Sequence, residues 1–354
     1  MKNIYRSILF IATIAAAASC AKTVGEGTNV AKKRYFDAWM HINHPNLTPT
    51  WNGTDSEVGI YIMPEGEVAG DGVQVEKDGF AIVDYTQYSL DGDIVEYTSE
   101  ETAKQLGEFD YSTYYGPKVL VTYDDAIPAG VRDAMLTMKV GGKRKVIIPS
   151  WLMTYSTYGT ANAYLEHSCD FSSSIYELEV KDFCDTISKW EIKSIKEYIL
   201  ENYKTESAFS NDTTGFYFKA DKIYPAGAEA FPKDTTIYIN YTGKLLNGQV
   251  FDTTIEDVAK DNNIYSASKD YEPVRINWGE KYSELSMGTD ESSTVSGFAM
   301  TLWRLKHVPG NSEWKDSCTG IFTSSLGYGY SGSGSSIPAY APLIFEIEVV
   351  DKPE

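Results

Sequence analysis

The sequence predicts an α+β fold that is built twice in one chain, and three observations point there. First, Gly59, Ile60, Tyr61, Ile62 returns 156 positions later as Gly215, Phe216, Tyr217, Phe218. The same offset carries Tyr85 and Thr86 onto Tyr241 and Thr242, Gly92 onto Gly248, and Thr98, Glu100, Ala103, Lys104 onto Thr254, Glu256, Ala259, Lys260. A chance repeat would lose register over that distance, so two copies of one domain follow. Second, stretches such as Thr236 to Tyr241 and Leu343 to Val350 alternate in the strand period between glycine-rich and polar turns. Third, 26 Tyr, 14 Phe and 7 Trp favour aromatic-rich sheets over helical bundles.

Composition narrows the classes of function. The chain has 354 residues, 42% hydrophobic and 23% charged, enough to bury cores in both copies. Its 50 acidic residues outweigh 31 cationic ones, giving a net charge of −19. A basic phosphate-binding surface is therefore not expected, and no nucleic-acid partner is implied.

The elements follow in chain order. Lys2 and Arg6 precede an apolar run from Ile8 to Ala18, too short to span a bilayer, and residues 1–19 have the layout of a secretory signal. Ala17, Ala18, Ser19 and Cys20 resemble a bacterial lipobox, which implies lipidation at Cys20, with residues 20–32 as a tether. The acidic mature chain would repel anionic lipid, so acyl chains would supply the membrane attachment. Export to the cell envelope follows, as an outer-membrane lipoprotein on the periplasmic or surface face. The first domain is expected over 33–186, opening on a helix at about Arg34 to Ile42. Thr98 and Thr254 stand before acidic residues as N-caps of one short helix in each copy. A second helix is expected at about Val131 to Lys139, and a strand over Ser174 to Asp182. That strand, at about 3.3 Å per residue, separates Cys169 from Cys184 beyond disulfide reach, so Cys169, Cys184 and Cys318 are expected to stay unbridged. Residues 187–214 form a linker led by a helix over Ile187 to Tyr203, and 215–354 form the second domain. Ile175 to Asp182 reappears as Ile344 to Asp351, 169 positions on, so the second copy has gained 13 residues.

The second copy then reads Tyr241, Thr242, Gly243, Lys244, Leu245, Leu246, Asn247, Gly248, Gln249, Val250, Phe251, Asp252. This resembles the YTGxLxxGxxFD signature of FKBP-type peptidyl-prolyl cis-trans isomerases. The likeness continues through Val295, Ser296, Gly297, Phe298 (the family's V-I-x-G-W turn), Leu326 to Gly329, Ile337 with Pro338, and the closing Leu343, Ile344, Phe345. The resemblance implies two FKBP-like domains, each a curved antiparallel sheet wrapped on a short helix, with a leading helical segment. It also implies a folding helper, or chaperone, for exported proteins, whose partners are proline-containing polypeptide clients and which needs no cofactor. By resemblance Tyr241, Phe251, Phe298 and Phe345 wall the pocket, with Phe298 as its floor. The Val295 N–H and the Tyr328 hydroxyl would bind substrate carbonyls, Asp252 would stand beside the rotating amide, and Ile337 would shape the rim.

Departures divide the work between the copies. Val274 and Ile276 replace two aromatic residues of the family pattern, which implies a wider pocket, and Thr323 and Ser333 stand where the family has proline and histidine. In the first copy Val95 and Glu96 fall where the second has Phe251 and Asp252, Val131 takes the floor, and Tyr158 with Gly159 match the loop tyrosine. That copy is expected to be catalytically degraded, with activity mainly in the second. A non-catalytic binding or assembly module of the envelope is the alternative. The string GYGYSG at 327–332 satisfies the dinucleotide pattern only literally, since SGSGSSIP rather than a helix follows.

Overall fold

The computed structural model describes residues 29–50, 59–167, 169–212 and 214–353. The signal segment, Cys20 and all of the tether before Asn29 lie outside the described residues. Two compact units divide the chain: Met1–Tyr97 with Leu120–Phe183, and Thr98–Val119 with Cys184–Glu354. The helix-bearing segment Thr98–Val119, which the repeat assigns to the first copy, therefore belongs to the second unit.

In the first unit, helix α1 (Val30–Asn43) begins inside the stretch read as tether. Its start is fixed by buried Asn29, whose amide donates to the Tyr164 carbonyl at 2.8 Å. Phe36 and Met40, four apart on one face, are the buried residues of α1; the Phe36 ring is tilted against Tyr61 and meets Trp151 edge to face. Strands β1 (Tyr61–Val68), β2 (Phe80–Ser89), β3 (Ile94–Tyr97), β4 (Lys118–Val121), β5 (Lys143–Ile148) and β6 (Ser174–Cys184) follow, the unit boundaries falling within β4 and at the end of β6. They pair in the order β1-β5-β6-β2-β3, with β4 also on β2. Strand β6 shows period-2 burial, with Ser174, Tyr176, Leu178 and Val180 inward.

The second unit holds helix α2 (Glu100–Leu106), α5 (Ile187–Tyr203), and strands β7 (Ser210–Asn211), β8 (Phe216–Ala220), β9 (Glu229–Ala230), β10 (Thr236–Leu245), β11 (Val250–Thr253), β12 (Val274–Asn277), β13 (Ser286–Met287), β14 (Lys306–His307), β15 (Ser317–Phe322) and β16 (Leu343–Val350). Helices α3 (Ala129–Met135) and α4 (Ala161–Glu166) lie in the first unit, α6 (Glu256–Asp261) and α7 (Ser296–Trp303) in the second. The main sheet runs β13-β12-β10-β16-β15-β8-β7, with β11 also on β10. Taking β8 for β1, β15 for β5, β16 for β6, β10 for β2, β11 for β3 and β12 for β4, the path is the same as in the first unit. The fold is α+β, as expected, and its two large sheets share one strand path, while β9 and β14 pair separately.

Glycines set the same close approach in both. A Cβ on Gly130 in α3 would stand 2.3 Å from Ile148, and one on Gly297 in α7 would stand 2.3 Å from the Phe322 ring. Only a residue without a side chain lets each helix lie that near its sheet. In the second unit the other sheet face is covered too, because Ile195 and Ile199 of α5 cluster with Tyr217, Ile321 and Ile344. Burial on both faces explains why Leu343, Ile344, Phe345 is a continuous apolar run rather than an alternating one.

Three expected boundaries shift. Helix α3 ends at Met135 rather than near Lys139, since the Gln74 amide claims the carbonyls of Leu136 and Met138 at 2.8 Å each. Ser99 rather than Thr98 caps α2, accepting from the Thr102 N–H. Ile255 rather than Thr254 occupies the N-cap of α6. The Thr254 hydroxyl is engaged instead by the Tyr241 N–H at 2.9 Å and the Asn240 side chain at 3.0 Å, binding the helix start to β10. Cys169, Cys184 and Cys318 are unbridged.

Candidate functional site: an aromatic cluster beside a tyrosine–carboxylate pair

Strand β10 aims Ile237, Ile239 and Tyr241 at α7 by simple alternation. The β10–β11 hairpin pairs Thr242 with Thr253 and Gly243 with Asp252, then slips so that Lys244 faces Val250. Phe251 is the extra residue of this β-bulge, which turns it and Asp252 toward the same side. Gly243 is what admits the ring: a Cβ there would lie 2.6 Å from Phe251 and 3.0 Å from Phe345.

The predicted walls come together. Phe298 and Phe345 stand 4.8 Å apart edge to face, Tyr241 and Phe298 5.4 Å, and Phe251 and Phe345 5.7 Å. Phe322 stacks on Phe345 at 5.8 Å and supports it from below. Edge-to-face contacts of this kind add about 0.5–1.5 kcal/mol each beyond area burial. Tyr241 is buried and its hydroxyl donates to Asp252 Oδ2 at 2.6 Å. Burial first, and then the Asp252 charge, push the Tyr241 phenol well up, so it remains a donor. Lys269 forms an ion pair with the other Asp252 oxygen.

The remaining predicted residues border this cluster. Val295 is the N-cap of α7 and packs against the core. Tyr328 follows β15 on a loop of two 3-10 turns and is 38% exposed. Partial burial and the Asp252 charge raise its phenol, which puts Tyr328 in electrostatic reach of that carboxylate. Ile337 is buried in the same core, and its N–H and C=O bridge to Ser333 at 3.1 and 2.8 Å, closing the tip loop. Of the two positions that lost aromatic residues, Ile276 is fully buried while Val274 only borders the cluster.

Two features escape sequence reasoning. Glu191 on α5 is buried and accepts from the Ser324 N–H at 2.6 Å and the Ser324 hydroxyl at 2.7 Å, pinning the start of the Tyr328 loop. A signal existed: Glu191, Ile195 and Ile199 share one helical face. Behind α7, Trp278 and Trp303 stack at 5.6 Å, a contact for which the sequence offered no marker.

The first unit keeps part of this arrangement. Its β2–β3 hairpin carries the same slip, with Gln87 facing Glu96 and Tyr88 facing Ile94, so Val95 is the bulged residue. The Tyr85 hydroxyl donates to Glu96 Oε1 at 2.5 Å, and Tyr85 stands 6.1 Å from Tyr176, the counterpart of Phe345. Val95 is 59% exposed and walls nothing. Where Gly243 leaves room for rings, Gln87 instead reaches Ser174 at 2.9 Å. The loop tyrosine that couples electrostatically to Tyr85 and Tyr176 is Tyr155. Tyr158 stacks on His167 instead.

Comparison with known proteins finds similar sequences. FK506-binding protein 2 of Kluyveromyces lactis is 32% identical over 120 residues, covering 34% of this chain and 64% of that protein. The FKBP-type 22 kDa peptidyl-prolyl cis-trans isomerase of Escherichia coli is 26% identical over 180 residues, 49% of this chain and 68% of its own length. A probable FKBP-type isomerase of Haemophilus influenzae is 30% identical over 131 residues, 37% of this chain and 41% of its own length. The chain thus spans less than two thirds of two of these relatives. No family model matches it. Similar solved structures include the three FKBP domains of wheat FKBP73, at 16% identity and TM-score 0.25 over 83% of this chain and 94% of that one. FkpA from Escherichia coli is another, at 20% identity and TM-score 0.28 over 47% and 62%. The chain is homologous in sequence to FKBP-type peptidyl-prolyl isomerases.

Proposed function

We propose that the chain is a peptidyl-prolyl cis-trans isomerase and folding helper for exported polypeptides, with activity mainly in the second unit. One observation carries this reading: Tyr241, Phe251, Phe298 and Phe345 form one aromatic cluster whose Tyr241 hydroxyl is bonded at 2.6 Å to Asp252. Rotation about an X–Pro bond must overcome roughly 18–20 kcal/mol of amide resonance and takes tens to hundreds of seconds unaided. No acid, base or nucleophile is needed. An apolar pocket that holds the prolyl ring and meets the twisted amide with fixed dipoles binds that state better than the planar one. In this reading Phe298 lies under the ring, Asp252 faces the rotating amide, and the Tyr328 hydroxyl and Val295 N–H hold flanking carbonyls.

A protease-coupled assay on a prolyl tetrapeptide tests it in the full chain, because cutting near residue 186 would part Thr98–Val119 from its own unit. Tyr328→Phe removes one donor and keeps shape, so kcat/KM should fall by about 0.5–1.5 kcal/mol equivalent, roughly two- to tenfold, with unchanged melting. Glu96→Gln in the first unit should leave turnover intact. Full activity in Tyr328→Phe, with Phe298→Ala lowering only stability, would make the cluster plain core. One observation favours the alternative of a non-catalytic binding module: Lys269 and Tyr241 together engage both oxygens of Asp252.

Clients in this reading are proline-containing polypeptides met outside the cytoplasm, with the protein held to the envelope membrane by lipid on Cys20. The basic start, apolar run and small residues before Cys20 support that location. Cys20→Ala should appear in the soluble fraction or remain unprocessed; membrane fractionation identical to the parent would exclude the anchor.

A further inference from the structure

We propose that the rim of the second unit's site is a docking place for an aromatic side chain on a polypeptide, occupied in this chain by its own turn-bearing segment Asp110–Pro117. The inference rests on reading the cluster as a polypeptide site and names what that site takes. The segment is part of the second unit. Tyr114 packs on the apolar cluster that contains Tyr241, Phe298, Ile337 and Phe345. Its N–H donates to the Ser335 carbonyl of the tip loop at 2.8 Å. One residue earlier, the Thr113 carbonyl accepts from the Gln249 amide at 3.1 Å, at the hairpin turn that leads into Phe251. A turn at Asp110–Thr113 thus presents the Tyr114 ring to the cluster, and main-chain bonds to the loops on either side hold it there.

The segment is ordered by its own contacts. The Gly116 N–H donates to the Thr98 carbonyl at 2.8 Å, closing the loop. The Ser112 N–H and hydroxyl both reach Asp110 Oδ1 at 2.8 Å, and Phe109 stacks on Tyr115 at 5.5 Å. Tyr114 turns back so that its hydroxyl meets the Pro117 carbonyl at 3.1 Å, and a Cβ on Gly116 would stand 2.8 Å from that hydroxyl. Such preorganisation removes ordering entropy from docking, and covalent attachment gives the segment a local concentration of about millimolar order. Polypeptides with an aromatic residue shortly before Gly-Pro, as in Thr113–Pro117, must displace it.

Fluorescence anisotropy of a labelled Thr-Tyr-Tyr-Gly-Pro peptide on the full chain tests this. If the segment covers the rim nine-tenths of the time, apparent affinity is lowered about tenfold. Tyr114→Ala should therefore bind the peptide up to about tenfold more tightly than the parent, and Gln249→Ala should shift it in the same direction by less. Gln249→Ala keeps the packed ring and serves if Tyr114→Ala misfolds. Saturating peptide should also speed hydrogen exchange at the Tyr114 amide of the parent. Equal affinity in parent and variants, or an unchanged Tyr114 amide under bound peptide, overturns the proposal while leaving the pocket reading in place. Failure of parent and variants alike to bind a tyrosine-free prolyl tetrapeptide removes the pocket reading, and the proposal with it.

Discussion

Glu191 offers the sharpest test of how the site is held. It sits on the buried stripe of α5 with Ile195 and Ile199, yet it carries a carboxyl group. That carboxyl takes two hydrogen bonds from buried Ser324, four residues ahead of Tyr328. Burial raises its pKa, and the Ser324 bonds only partly oppose the rise. Glu191→Ala would leave a buried N–H and a buried hydroxyl without their partner, at about 1–3 kcal/mol each, while relieving the desolvation of the charge. The net loss expected is about 1–4 kcal/mol. Glu191→Gln keeps an acceptor for the Ser324 N–H and should stay within about 1 kcal/mol of the parent near neutral pH.

The sign of the pH effect separates these variants further. A carboxyl whose folded pKa lies above its unfolded value favours folding most when protonated. Its contribution is complete below the ordinary glutamate range, about 4.3, and is lost as pH rises through the raised folded value. Glutamine has no such loss, so the stability difference between Glu191→Gln and parent should move in favour of glutamine across that window. Other titrating groups cancel in the difference when they lie far from the substitution. Urea unfolding followed by tryptophan fluorescence from pH 4 to 8, with hydrogen exchange read at the Ser324 amide, measures both effects. Parallel pH profiles for parent and glutamine variant, together with unchanged Ser324 exchange in Glu191→Ala, would refute the clamp.

Two further outcomes follow from packing and burial. Gly243→Ala sets a Cβ 2.6 Å from the Phe251 ring, so it should destabilise the second unit by about 1–3 kcal/mol and lower peptide turnover, whereas Gln87→Ala should do neither to that unit. Thiol labelling without reductant should modify Cys169, Cys184 and Cys318 completely after unfolding; in the folded chain half-buried Cys184 should react first and Cys318 last, since burial raises the Cys318 thiol. Any disulfide-linked fragment among these three, or fast labelling of Cys318 in the folded chain, would contradict the structure.

Much of the fold was legible because repetition and alternation act over many residues. The 156-residue offset anticipated two sheets with the same strand order, and the helix over Ile187 to Tyr203 stands as expected. Legibility failed where one side chain decides. Thr98 and Thr254 look like caps, but the caps fall one residue on because the Thr254 hydroxyl already serves the Tyr241 N–H. The bulges at Phe251 and Val95 leave no trace in an alternating pattern. Placement of Thr98–Val119 in the second unit is a tertiary fact, set by contacts such as Tyr114 with Ser335, and repetition alone assigns the segment the other way. In the first unit Tyr158 stacks on His167, while Tyr155 adds to the charge field felt by Tyr85 and Tyr176.

The two copies also show which part of the site is diagnostic. Tyr85 with Glu96 and Tyr241 with Asp252 form the same hydrogen bond across the same bulge. Both tyrosines are buried, and a buried phenol needs an acceptor whether or not any substrate binds, so the pair alone does not signal catalysis. What differs is linked through space. With a phenylalanine at the bulge, residue 243 must lack a side chain; with Val95 at the bulge and turned to solvent, the facing position can hold Gln87, which spends its amide on Ser174. The change of wall and the change of its neighbour are therefore one structural event. Where the second unit clusters Phe251, Phe298 and Phe345, the first has Tyr176 and Val131 in its core and a glutamine bonded to Ser174. The first unit thus keeps the fold, the bulge and the buried tyrosine–carboxylate bond while its bulged residue, Val95, faces solvent instead of joining an aromatic cluster.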